Sequence, residues 1–117
     1  MRIRIKNLRL RTIVGVQAWE REAPQDVVVN IDLEFDGTKA AASDDLADTV
    51  DYKALKARVM QTVETSRYQL LEKLAAEILR IVLSDSRVLR ATIEVDKPHA
   101  LRFADSVSIA CSGENRP

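Results

Sequence analysis

An α+β fold is predicted by three features of the chain: strand-like alternation at both ends, helical periodicity in the middle, and the order in which these come. Val27, Val29, Ile31, Leu33 and Phe35 alternate with Val28, Asn30, Asp32 and Glu34, the pattern of an antiparallel strand with one buried face. Apolar residues then recur at three- and four-residue spacing from Tyr52 to Leu83, and alternation returns from Leu89 onward. The order is ββααββ: two hairpins around a helix pair, hence an antiparallel sheet with two helices on one face.

The first segment, Ile3 to Val16, is strand-like but changes phase. Its apolar residues fall on odd positions at Ile3 and Ile5 and on even positions at Leu8 and Leu10. Both sets share one face only if a bulge intervenes near Lys6-Asn7. Between this strand and the next lies GVQAWEREAPQ, a segment too rich in distinctive residues for a plain hairpin turn. The stretch AAASDDLADT reads as a short helical turn and loop. Thr49 or Asp51 can cap a helix carrying Tyr52, Leu55, Val59 and Val63. A second helix is expected from near Gln69 to Leu83, with Leu71, Leu74, Ile78 and Val82 as its stripe and Leu70, Ala75, Leu79 and Ile81 widening it. The closing strands are Leu89 to Val95, with Leu89, Ala91, Ile93 and Val95 inward, and one through Val107, Ile109 and Cys111. Residues Gly113 to Pro117 read as frayed.

At 117 residues the chain is expected to form one domain over its whole length. Eighteen basic and eighteen acidic residues cancel, so no net charge recruits nucleic acid or a membrane surface. Arg2, Arg4, Lys6, Arg9 and Arg11 make the N-terminus locally basic, as on the solvated face of a strand; a phosphate-binding stripe is the alternative. Cys111 and His99 are the only cysteine and histidine, which excludes an intrachain disulfide and a cysteine- or histidine-cluster metal site. The N-terminus alternates charged and apolar residues where a signal peptide needs an apolar run, and no stretch is long enough to span a membrane. A soluble, cytoplasmic protein is expected. Two unprotected edges in a four-stranded sheet also predict pairing with identical neighbours into a homo-oligomer.

Four ionisable residues draw attention. Lys97 stands where a strand ends, stiffened by Pro98; partial burial there can tune a lysine for proton transfer, whereas a solvated lysine is the ordinary case. Glu72, in LLEKLAAEI, lies near a helix start, where the dipole favours a carboxylate, and beside an apolar face, where it can accept from a paired N–H donor. Tyr52 reads as a core tyrosine with a satisfied hydroxyl. Glu20 follows Trp19 in a loop, where a solvated carboxylate is usual.

Taken together, GVxxWE…Q, DDLADTVDY, LLEKLA and DKP resemble the dihydroneopterin aldolase family in order and spacing, over nearly the whole chain. The resemblance implies the tunnelling fold (T-fold), in which strands of four chains close a barrel, commonly stacked as an octamer with active sites between subunits. It implies that Glu72, with backbone near Leu71, anchors the pterin 2-amino group and N3–H. Lys97 would act as general acid/base at the 2′-hydroxyl and N5, Tyr52 would handle protons across a subunit boundary, and Glu20 would position ligand and water. Neither metal nor cofactor is implied, because the reduced pterin supplies the electron sink.

Within the family, IRIKNLRLRT and VDKPHALRFADSVSI are similar to the dihydroneopterin triphosphate 2′-epimerase branch, and WER and KAAASDDLADTVDYKAL to the bacterial aldolases. His99 and Arg102 would contact a triphosphate, or form an ordinary polar turn. The leading expectation is an aldolase releasing 6-hydroxymethyl-7,8-dihydropterin and glycolaldehyde in folate biosynthesis, with epimerase activity beside it. A dedicated triphosphate 2′-epimerase, a non-catalytic pterin-binding T-fold oligomer and a nucleic-acid module are the alternatives, in that order.

Overall fold

A computed structural model describes residues 1–115. Four strands, β1 (Arg2–Thr12), β2 (Gln25–Phe35), β3 (Val88–Pro98) and β4 (Ser106–Glu114), pair in the order β1-β2-β3-β4, every pair antiparallel. Between β2 and β3 come a short helix α1 (Thr38–Ser43), a 3-10 turn at Leu46–Asp48, and the helices α2 (Tyr52–Thr65) and α3 (Leu71–Leu83). Helix α2 packs over β1, and α3 over β3 and β4.

The inward faces follow the alternation of the sequence. Val27, Val29, Ile31 and Leu33 from β2 and Ala91, Ile93 and Val95 from β3 meet Leu55, Val59 and Val63 of α2 and Leu74, Ile78 and Val82 of α3, all buried. Each large apolar side chain removed from water in this way contributes about 1.5–3 kcal/mol. The edges are less well covered: Ile3, Ile5 and Leu8 on β1 and Ile109 and Cys111 on β4 are only partly buried against the core. The molecule is long, 51 × 25 × 24 Å, with a radius of gyration of 15.5 Å. A compact chain of this length has a radius of about 13 Å.

The phase change in β1 is a bulge. Ile5 faces Ile31 and Leu8 faces Val29, and Asn7 takes a left-handed conformation (φ 53°). Asparagine tolerates that region because its short polar side chain bonds locally. Here the Asn7 side-chain Oδ1 accepts from Asn30 Nδ2 at 3.4 Å, and the Asn7 backbone N–H donates to Asn30 Oδ1 at 2.9 Å. Asp51 is the cap of α2, accepting from the amides of Lys53 and Ala54, both at 3.1 Å. The stretch before it forms α1 and the 3-10 turn, in line with the short helical turn expected there.

Several boundaries and faces differ from the sequence expectations. β1 stops at Thr12, because the backbone turns at Gly15 (φ 139°) and the Gly15 amide leaves the sheet to bond the Tyr68 carbonyl at 3.3 Å. Helix α3 starts at Leu71, and Leu70, its N-cap, is exposed. Leu89 is also exposed and Val88 takes the inward place, because Phe35 pairs with Val88 while Glu34 pairs with Arg90, so Leu89 bulges out. Tyr52 is 55% exposed, on the outer side of the first turn of α2, and is not a core residue. Gly113 and Glu114 belong to β4: Arg90 Nη1 donates to Glu114 Oε1 at 3.0 Å, and Asn115 Nδ2 donates to the Leu83 and Val88 carbonyls at 2.8 and 2.9 Å. Arg116 and Pro117 lie outside the described residues.

Candidate active site

β3 runs past Val95 to Pro98, so Lys97 sits within the strand, opposite Val107. Strand alternation gives it the same face as Ile93 and Val95, beneath the chain that leaves β1. That chain, after Gly15, forms a 3-10 turn at Ala18–Arg21 in which Glu20 is the one buried residue. The Glu20 carboxylate turns inward and meets Lys97, whose ammonium donates to its Oε2. The two side chains are 9% and 10% exposed.

The carboxylate is held by two further donors. The Gln17 amide donates to Oε1 at 3.1 Å, and Gln25 Nε2 donates to Oε2 at 3.2 Å while also bonding the Val14 carbonyl at 3.2 Å. Gly15 supplies the space, since a Cβ there would overlap the Glu20 carboxylate. The hydrogen bond from Lys97 holds the Glu20 carboxyl below its usual range; burial opposes this, and the Gln25 and Gln17 donors reinforce it. The result is a carboxylate fixed directly against the Lys97 side chain at the end of the sheet.

The α2–α3 connection lies against the same end. Thr12 Oγ1 donates to the Ser66 carbonyl at 3.1 Å, and Arg21 Nη1 donates to the carbonyls of Gly15 and Tyr68 at 3.1 and 3.0 Å. Leu71, half-buried, and Glu72, exposed, follow at once in the first turn of α3, where the helix dipole favours the carboxylate. Glu20, Lys97, Leu71 and Glu72 thus share one end of the molecule.

Tyr52 does not join them. It opens α2, and the 14-residue helix places it about 20 Å from the Ser66 end. Its neighbourhood is the opposite end, where Arg87 Nη1 bonds the Thr49 carbonyl at 2.6 Å and Arg58 bonds Ser84. His99 (φ 61°) lines a cleft with Arg9, Asp26, Val27, Val28 and Pro98, and neither Lys97 nor Glu20 lines it. Arg102 stacks on the exposed ring of Phe103, 5.5 Å from its centroid. Sequence reading left Gly15 and Gln25 without roles although both lie in the GVxxWE…Q motif. It also left out Arg21, for which no local signal exists, since its acceptors are backbone carbonyls up to 47 positions away.

A four-stranded antiparallel sheet backed by two helices, with open edges and a buried Lys97–Glu20 pair at one end, defines a T-fold protein. The family model described as "FolB: Dihydroneopterin aldolase" matches residues 3–112, and the chain belongs to that family. The dihydroneopterin triphosphate 2′-epimerase of Escherichia coli K12 is 44% identical over 94% of this chain and 92% of its own. The dihydroneopterin aldolase of the same organism is 33% identical over 90% of this chain and 86% of its own. The crystal structure of E. coli dihydroneopterin aldolase in complex with neopterin superposes with a TM-score of 0.92 at 31% identity, covering 97% of this chain and 98% of that one. Among the described residues, no helix is long and apolar enough to cross a membrane.

Proposed function

We propose that the protein performs retro-aldol chemistry on the side chain of 7,8-dihydroneopterin or its triphosphate, with Lys97 and Glu20 moving the protons. The observation that carries this reading is the buried Lys97–Glu20 contact at the sheet end that also bears Glu72. Glu72 accepts hydrogen bonds from the pterin 2-amino group and N3–H, beside the Leu71 backbone, and so fixes the ring. Protonation at N5 makes the ring an iminium-like acceptor. Removal of the 2′-hydroxyl proton then breaks the C1′–C2′ bond, and its electron pair moves onto the C1′–C6–N5 system as an enamine. Protonating C1′ after the aldehyde leaves gives 6-hydroxymethyl-7,8-dihydropterin and glycolaldehyde. Re-addition of the aldehyde through its other face inverts C2′. Tyr52, at the far end of its own chain, serves the site of a neighbouring protomer in a homo-oligomer.

One set of residues therefore supports both cleavage and epimerisation, and the outcome depends on whether the aldehyde escapes. Epimerisation of the triphosphate is the second reading. It is favoured by the higher identity to the epimerase, 44% against 33% for the aldolase. The deciding experiment offers both substrates in parallel. Hydroxymethyldihydropterin from the unphosphorylated substrate establishes the aldolase. The 2′-epimer alone, formed faster from the triphosphate, establishes the epimerase. Binding without product from either leaves a pterin-binding oligomer.

A further inference from the structure

Arg21 does more than end the 3-10 turn. Its Nη1 donates to the Gly15 and Tyr68 carbonyls, and its Nη2 donates to the Arg67 carbonyl. Arg67 returns the contact, its Nη2 donating to the Arg21 carbonyl at 3.0 Å. Each guanidinium thus holds the other residue's backbone. We infer that Arg21 is a positioning residue: through this reciprocal clamp with Arg67 it sets the Lys97–Glu20 pair in register with the ring anchor at Leu71–Glu72. The inference rests on the retro-aldol reading above.

The physical case begins with the turn itself. Ala18–Arg21 contributes no apolar residue to the core, so hydrogen bonds and not packing decide where it lies. The carboxylate contacts fix Glu20 to β2 and β3 through Gln25 and Lys97, but none of them reaches the α2–α3 connection. The other described hydrogen bonds between the two regions are the Gly15 amide to the Tyr68 carbonyl and those of the Thr12 hydroxyl to Ser66. Arg21 lies directly after Glu20, and Arg67 lies four positions before Leu71. A clamp there spans the gap between the group that moves protons and the group that fixes the ring. The planar fork of arginine suits three converging carbonyls, whereas a lysine offers a single point charge and a different geometry.

Arg21→Ala, Arg21→Lys and Arg67→Ala test this, with turnover measured per folded active site. Arg21→Ala is expected to lower kcat about ten- to a hundred-fold, the penalty for misplaced reacting groups. The dissociation constant of 6-hydroxymethyl-7,8-dihydropterin, which needs only the ring anchor, should stay within about two-fold, and added guanidinium should restore turnover in Arg21→Ala. Arg21→Lys should stay impaired, and Arg67→Ala, which removes a single bond, should lose less. Amide hydrogen exchange supplies the readout that needs no activity: residues 13–17 and 68–70 should quicken together in Arg21→Ala. Unchanged kcat, or a loss matched by weaker product binding and not rescued by guanidinium, overturns the role. If the wild type makes no product, the retro-aldol reading fails by itself. Exchange then still decides the clamp, coupled quickening supporting it and independent behaviour refuting it.

Discussion

Separating Lys97 from Glu20 gives the sharpest test of how this end of the sheet is held. Glu20→Gln keeps the shape of the side chain but removes the charge facing an ammonium that is 10% exposed, and it gives the Gln17 amide and Gln25 Nε2 a weaker or reversed partner. Breaking a buried ion pair from one side costs 3–5 kcal/mol in general; this pair lies just under the surface, so about 2–3 kcal/mol is expected. Lys97→Met leaves Glu20 with two donors and should cost less, about 1–2 kcal/mol. The double variant Glu20→Gln/Lys97→Met, with no uncompensated charge, should return to within about 1 kcal/mol of the wild type, a coupling of roughly 2 kcal/mol or more. Urea unfolding at neutral pH and one fixed protein concentration measures all four proteins, since any assembly makes stability concentration-dependent. The pH dependence adds a second signature. Because the folded-state pKa of Glu20 is lowered, the unfolded chain binds more protons there; the contribution is full above the ordinary value of 4.5 and is lost as pH falls through the lowered folded value. That acid-sensitive portion should shrink in Lys97→Met, where the largest cause of the shift is gone. Strictly additive losses, with coupling below about 0.5 kcal/mol, would refute the idea that the two groups hold each other in place.

Lys97→Ala should lower turnover by at least about a hundred-fold while leaving pterin binding within a few-fold; full activity removes Lys97 from the mechanism. Glu72→Ala should weaken pterin binding by roughly 2–5 kcal/mol, checked by titration with the product, and an unchanged dissociation constant rules out the anchor role. Gly15→Ala meets both a backbone conformation of φ 139° and the Glu20 carboxylate. It should destabilise by more than about 1 kcal/mol and depress turnover beyond the loss of folded protein; a neutral effect on both would contradict the tight seat described for Glu20.

The chain disclosed most where physical signals are local. The change from Ile3 and Ile5 to Leu8 and Leu10 located a bulge near Lys6-Asn7, and Thr49 or Asp51 ahead of an apolar helical stripe narrowed the cap of α2 to two residues, of which Asp51 serves. Where two readings share the same local pattern, the signal failed. Val88 and Leu89 are both apolar, so either could begin an inward face, and only the pairing of Phe35 with Val88 decides. Gly113 and Glu114 carry no apolar signal, yet cross-strand pairing with Ala91 and Arg90 keeps them in β4. The close packing there also depends on glycine, since a Cβ at Gly113 would lie 3.0 Å from the Leu83 side chain. Family resemblance named the candidate site residues but not their arrangement. Glu20 and Lys97 are 77 positions apart, and nothing near either one announces the other. Tyr52 reads as core by helical spacing, but the apolar face of α2 begins with Leu55 and leaves the tyrosine outside.

The bulge at Asn7 also governs where this chain can change length. From Ile5 to Leu8 β1 advances three positions while β2 advances two, from Ile31 to Val29. A chain shortened by one residue at Lys6 or Asn7 would fall into an unbroken ladder, with Ile3, Ile5, Leu8 and Leu10 still facing the helices. The same deletion at Arg4 or Arg9 would turn the side chains on one side of the cut toward water, because a one-residue slip reverses every face beyond it. What such a shortened strand gives up is the added local twist of a bulged pair. In the proposed homo-oligomer, the β1 edge would then meet a neighbour at a different angle. If the chain assembles as proposed, deletions at this point are filtered by the fit between copies, and deletions elsewhere in the strand by folding itself.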